Sequence, residues 1–357
     1  MPEADTLLSA KIKLMRLPLV FGLSAIVLIA AFLAKGCRRE DTHERYTPEQ
    51  WKDRAEEALE AITPENRNDL RGVYFDSVLK PIDMLLAKAK STLEDIAKES
   101  EKKGEFDAAK ESLALISAQY AHDLAERGQD LAIATANPKR LRFPDQRAEA
   151  TVYIATVNWA RLRREYAEEF RLNPDFQPPE RQMSIILRDI QSSQTAATRE
   201  QKNLKELAYL EGTIRYHMAD FAGSMEAYER ATELDPQYGD AYGGLGRACI
   251  EMEELDKAEK AFDMQVTVGE NESRNPNRKD FTTLLAGLYN AAELHDGLYE
   301  RYMGSNEPDA PALTEKHRQK AVERYSQLLK TPGAMDDPSF QEVRSRLSYL
   351  ESQRGNH

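Results

Sequence analysis

Residues 206–262 read ELAYLEGTIRYHMADFAGSMEAYERATELDPQYGDAYGGLGRACIEMEELDKAEKAF, and the stretch repeats itself. Shifted by 34 residues it sets Gly212 on Gly246, Phe221 on Leu255, Ser224 on Ala258, Ala227 on Ala261 and Tyr228 on Phe262. Each copy predicts a helix, a break at Ala219-Asp220 or Glu253-Glu254, and a second helix. Small residues fall where two helix backbones must approach closely, and large ones fall where the space between them must be filled.

That offset is the length of one tetratricopeptide helix pair. Lys205 to Pro236 resembles one such repeat, with Gly212, Phe221, Ser224, Tyr228, Ala231 and Pro236 at the positions of its motif. Tyr242, Leu245, Gly246, Leu255, Ala258 and Phe262 repeat the pattern. The chain departs from it in three places: Arg215 and Cys249 stand where the family usually has an aromatic residue, and Glu270 replaces the closing proline. The resemblance implies an all-α, TPR-like α-solenoid of antiparallel helix pairs, preceded here by a helical domain and one N-terminal transmembrane helix.

In this family the concave surface, lined by the first helix of each pair, receives a peptide or a partner helix. Carried over position by position, that surface holds Glu206, Tyr209, Thr213, Tyr216 and His217 in one repeat, and Asp240, Gly243, Arg247, Ile250 and Glu251 in the next. The protein-binding groove is assigned to Tyr209, Thr213, Tyr216, His217, Asp240, Arg247 and Glu251. Tyr209, Tyr216 and Arg247 lead, because aromatic and guanidinium groups give large contact area and directed bonds at small entropic cost. Some relatives clamp a C-terminal carboxylate with Lys and Asn residues. Tyr209, Thr213, Asp240 and Gly244 occupy the corresponding places here, so that mode is not expected. A mixed, partly acidic groove favours a neutral or basic partner segment.

Working outward, the 357 residues are 41% apolar and 31% charged, enough for about two domains or one extended helical array. The formal net charge is −12. Residues 1–34 hold Glu3 and Asp5 against Lys11, Lys13 and Arg16, so the rest of the chain carries −13. Such a body repels polyanions, which argues against nucleic acid as a partner.

Leu17 to Ala34 is an uncharged apolar run whose length as a helix, at ~1.5 Å per residue, is ~27 Å, close to the hydrocarbon core of a bilayer. Three fates are open to it. Cleavage by an ordinary signal peptidase wants small residues before the cut, and Phe32-Leu33-Ala34 fits poorly. A bacterial lipoprotein signal would start at Met15 and lipidate Cys37; Gly36 fits that box and Lys35 does not. An uncleaved signal anchor is the reading adopted. The flanking bases nearly balance, Lys11, Lys13 and Arg16 before the run and Lys35, Arg38 and Arg39 after it, so they do not set the orientation. A short tail and a large C-terminal body favour a tail inside the cell and a body in the periplasm of a bacterium.

The organisation read from the sequence is a tail (1–16), a transmembrane signal anchor (17–34), a linker (35–47), an α-helical domain (48–200), two tetratricopeptide repeats (201–270), and a divergent third repeat with a capping helix (271–357). Thr47, Pro48 and Gln50 form an N-cap signature, and Thr63-Pro64-Glu65 repeats it for a helix to about Leu79. Pro81 then starts a longer helix that ends at Gly104. Its return runs from Glu105 to Glu126, where Phe106, Ala109 and Leu113 have the spacing of Phe221, Ser224 and Tyr228; a plain hairpin fits equally. Asn137 to Gln146 is read as a basic loop, and Ala148 to Arg171 as a core helix. The Ser192, Ser193 and Thr195 stretch is read as a loosened boundary before the repeats, and Val268 to Lys279 as a polar insertion after them. Gly287, 41 residues after Gly246, marks the third first-helix, with Leu313 to Thr331 as its partner. Ser339 to Gln353 caps the array with Val343, Leu347 and Leu350 on one face.

No enzyme chemistry is expected. His43, His122, His217, His295, His317 and His357 are scattered, with no pair at metal-ligand spacing along a helix. His295-Asp296, the one adjacent acid and imidazole pair, is read as a surface hydrogen bond. No phosphate-cradling loop, nucleophile elbow or cysteine cluster occurs, and Cys249 is read as a small core residue, so neither metal nor cofactor is assigned. The function implied is a membrane-anchored scaffold for protein–protein interaction in the bacterial cell envelope, in secretion, assembly or a chaperone-accessory role. The alternatives are a lipoprotein supporting pilus or outer-membrane assembly, and a cryptic enzyme or enzyme-accessory domain within 48–200. The sequence leaves oligomeric state and partner identity open.

Overall fold

The computed structural model of the protein describes residues 46–63, 73–103, 107–134, 142–173, 176–196, 204–274, 281–334 and 340–354. The expected membrane segment at 17–34, Cys37 and most of the linker lie outside them. Among the described residues there are thirteen α-helices and no strand, and no helix is long and apolar enough to cross a membrane. Two compact units divide the chain. One takes its described residues from 46–168 and 177–214, the other from 169–176 and 215–354.

The first unit holds α1 (Pro48–Glu60), α2 (Val73–Lys103), α3 (Ala108–Ala134), α4 (Arg142–Glu165), α6 (Glu180–Ala196) and most of α7 (Leu204–His217). Thr47 caps α1 as its sequence requires. Its hydroxyl accepts from Gln50 N at 3.3 Å, and the Gln50 amide oxygen accepts from Thr47 N at 2.9 Å. Helix α1 packs on α2 and α3, and α4 packs on α2, α3 and α6. The shared core runs through Trp51, Phe75, Val78, Ile82, Leu85, Ala118, Leu124, Phe143 and Tyr153. Glu111 is among the carboxylates buried within this unit. It accepts from Arg161 Nε at 2.6 Å and is also paired with Arg164, so two arginines of α4 have an internal partner.

Three readings of this unit are corrected. Pro81 does not start a helix; it lies inside the continuous α2. A proline there removes one backbone hydrogen bond, but Val78, Leu79, Ile82 and Leu85 on either side are almost fully buried and hold the helix on its neighbours. The buried Gln146 braces the same turn, its amide donating to the Leu79 carbonyl at 3.1 Å and to Asp83 at 2.6 Å. The loop expected over 137–146 ends earlier, because α4 begins at Arg142 and buries Phe143 and Pro144 in its first turn. Arg142 pairs with Asp83 at 3.2 Å, while Lys139 and Arg140 lie outside the described residues. The stretch read as loosened is helical to Ala196, and Ser193 is buried with its hydroxyl 2.6 Å from that of Thr151.

The second unit contains most of α5 (Ala167–Leu172), the last turn of α7, then α8 (Phe221–Leu234), α9 (Gly239–Glu251), α10 (Leu255–Ser273), α11 (Thr282–Met303), α12 (Ala310–Lys330) and α13 (Gln341–Ser352). From α8 onward each helix packs on the next, and α9 also touches α11, the first helix of the following pair. The two breaks predicted 34 residues apart have the same geometry. Ala219 and Glu253 take positive φ, and the amides after them bond back to Arg215 O at 2.9 Å and Cys249 O at 2.8 Å. Each is a helix C-terminus closed by a left-handed residue and a six-residue hydrogen bond.

Close approach explains the glycine that anchored the alignment. A Cβ on Gly246 would stand 2.2 Å from the Phe262 ring, so the ring of the second helix lies directly on the backbone of the first. The polar insertion is corrected in extent. Helix α10 runs to Ser273 because Val268 and Gly269 are buried, and a Cβ on Gly269 would meet the Leu284 backbone at 2.4 Å. Helix α13 covers the end of the stack with Val343 and Leu350. Polar groups fasten it: Arg318 donates to Leu350 O at 2.9 Å, Arg344 to Ala334 O at 3.0 Å, and Arg346 to both carboxylate oxygens of Asp296 at 2.8 and 2.6 Å.

Candidate functional site

The seven groove residues fall in both units. Tyr209 and Thr213 belong to the first, where each is half-buried and the Thr213 hydroxyl donates to the Tyr209 carbonyl at 3.0 Å. Tyr216, His217, Asp240, Arg247 and Glu251 belong to the second.

Tyr216 is only 8% exposed. Its ring stands edge-on to His217 and Phe221, and its hydroxyl donates to Glu251 at 3.4 Å, which ties the first helix of one repeat to the first helix of the next. His217 is half-buried. Phe170 lies edge-on to it, and Nδ1 is 3.3 Å from the Phe176 carbonyl, which places the imidazole proton on Nδ1. These two rings brace the repeat. Asp240 is half-buried at the start of α9, and Glu251 is half-buried at its end. Arg247 is exposed midway between them and has no ion-pair partner among the described residues. The face of α9 thus presents one guanidinium between two carboxylates.

The departures from the repeat motif have local reasons. Arg215, where an aromatic is usual, pairs with Asp220, whose other carboxylate oxygen accepts from Gly223 N at 3.1 Å and caps α8. Cys249 is fully buried, and burial pushes its thiol up to about 11, so it is a neutral core residue.

A polar cluster that sequence reasoning missed lies at the other end of the unit. His295 and His317, on α11 and α12, are 3% and 5% exposed, with their Nδ1 atoms 3.1 Å apart. His295 Nε2 is 3.8 Å from Glu259 of α10, which is paired with Lys320, and Tyr302 stacks on His317. Burial lowers both imidazoles, His295 to about 4. The reading of His295-Asp296 as a surface pair is therefore corrected. Asp296 is 4% exposed and turns to Arg346 and to the Tyr325 hydroxyl, away from its neighbour. A search for spacing along one helix does not see two histidines 22 residues apart that face each other from adjacent helices.

Antiparallel helix pairs stacked in register, with first helices adjacent, define a helical-repeat protein of the kind that works as an interaction scaffold. Residues 216–274 match the family model described as tetratricopeptide repeat. No curated protein matches the chain. Tetratricopeptide repeats generally mediate the binding of protein partners, and the matched residues contain α8, α9 and α10 whole.

Proposed function

We propose that this protein is a membrane-anchored scaffold that captures another polypeptide on the first-helix face of its repeats. The observation that carries the reading is the exposed Arg247 on α9, within the second of two repeats whose turns have the same backbone geometry. Asp240 and Glu251 flank Arg247 and favour a neutral or basic partner segment over an acidic one. The uncharged run of residues 17–34 supplies the anchor, and the proposed setting is the bacterial inner membrane with the body in the periplasm. The role assigned is binding, in secretion, assembly or chaperone support, with no catalytic residue.

Capture of the partner by the full-length protein tests the reading. Arg247→Glu is expected to weaken capture on the order of tenfold while leaving helical content unchanged. Unchanged capture overturns the groove assignment. A reporter fusion at the C-terminus tests the sidedness, and mass spectrometry of Cys37 separates an anchor from a diacylglycerol-modified lipoprotein.

A further inference from the structure

The His295–His317 contact lies where three helices meet. Helix α10 offers Glu259, and Asp263 paired with Arg324 at 2.5 Å. Helix α12 offers Lys316, Lys320 and Arg324, and α11 offers Asp296, which is committed to Arg346 of α13. Two imidazole Nδ1 atoms 3.1 Å apart hold one proton between them, donated by one ring and accepted by the other. Charging both rings takes two further protons, which makes both Nδ1 atoms donors, removes the hydrogen bond and sets two cations in contact. The carboxylate nearest to them, Glu259, is already neutralised by Lys320, and the remaining bases on α12 add repulsion.

We propose that this contact is an acid-sensitive latch that holds α12 onto α10 and α11 at neutral pH and releases it when both imidazoles become charged. Helix α13 is tied to both neighbours, by Arg318 of α12 to the Leu350 carbonyl and by Arg346 to Asp296 of α11, and is no part of the latch. The sign follows from burial. A histidine whose folded-state value lies below its unfolded value near 6.5 contributes fully above that pH and loses its contribution as the pH falls toward about 4. Between pH 7 and pH 4.5 the released state gains on the order of a hundredfold relative to the closed one.

Hydrogen exchange of the full-length protein in detergent micelles, corrected for intrinsic rates, tests the latch. Protection in α12 is expected to fall on the order of a hundredfold from pH 7 to pH 4.5, with α8 and α9 unchanged. His295→Leu combined with His317→Leu is expected to abolish the difference. Equal protection at both pH values in the native chain, or the same loss in the leucine variant, overturns the proposal. Should that variant fail to fold, imidazole titration of the native protein by NMR decides. Two histidines titrating together, well below the others, support the latch, and all histidines titrating near 6.5 contradict it.

Discussion

Ala219 and Glu253, 34 residues apart, are the two non-glycine residues among the described ones with a left-handed backbone, at φ 58° and 59°. Each follows the first helix of a pair, and each is followed by a residue that opens the second. Equality of conformation at equivalent positions is the clearest sign that the two hairpins are copies. It also has an energetic consequence, because a side chain in this region costs about 1–2 kcal/mol, which glycine avoids.

Replacement of Ala219 or Glu253 by glycine is therefore expected to stabilise the protein by about 0.5–1 kcal/mol each, since part of the relief is offset by the larger entropy of an unfolded glycine. Chemical denaturation of the single and double variants measures it. Destabilisation by both would mean that the turns are held by their side chains and not by backbone geometry.

Gly246 tests the packing between the helices of one pair. Gly246→Ala places a methyl group at the Phe262 ring and is expected to cost about 1–3 kcal/mol. Gly246→Leu exceeds any adjustment of the ring and is expected to unfold the second repeat. Thermal melts and hydrogen exchange in α9 and α10 report both.

The clamp on the terminal helix is charged and buried. Asp296 is 4% exposed and accepts two hydrogen bonds from Arg346. Arg346→Met leaves that carboxylate unpaired and is expected to cost about 3–5 kcal/mol, whereas adding Asp296→Asn recovers a large part of the loss. A double-mutant cycle by denaturation separates the pair from the packing of α13.

Cys249 is expected to resist alkylation by iodoacetamide at pH 7.5 in the folded protein and to react fully in denaturant, because the buried thiol is pushed up to about 11. Labelling followed by mass spectrometry of its peptide checks this.

The repeat was legible because its signal is local. Gly212, Ser224, Ala227 and Tyr228 and their counterparts carry the pattern within two adjacent helices. Features that depend on a distant partner were not legible in the same way. Pro81 reads as a helix start until Gln146, 67 positions from Leu79, is seen to brace its turn. Ser193 reads as loop until Thr151 meets it, and Val268 and Gly269 read as insertion until α11 buries them. Among the groove residues, Arg247 is exposed as a first-helix surface residue should be, while the burial of Tyr216 is set by Phe221, His217 and Glu251, which helix periodicity alone does not bring together.

The central claim is that the first-helix face of α9 grips a polypeptide. The most direct measurement places a photo-crosslinking residue at position 247 and, as a control, at the exposed Lys260 of α10, in the full-length protein in its native cell. The account predicts a discrete protein adduct from position 247 and none from position 260. Equal adducts from both positions, or an adduct from 260 alone, would contradict it.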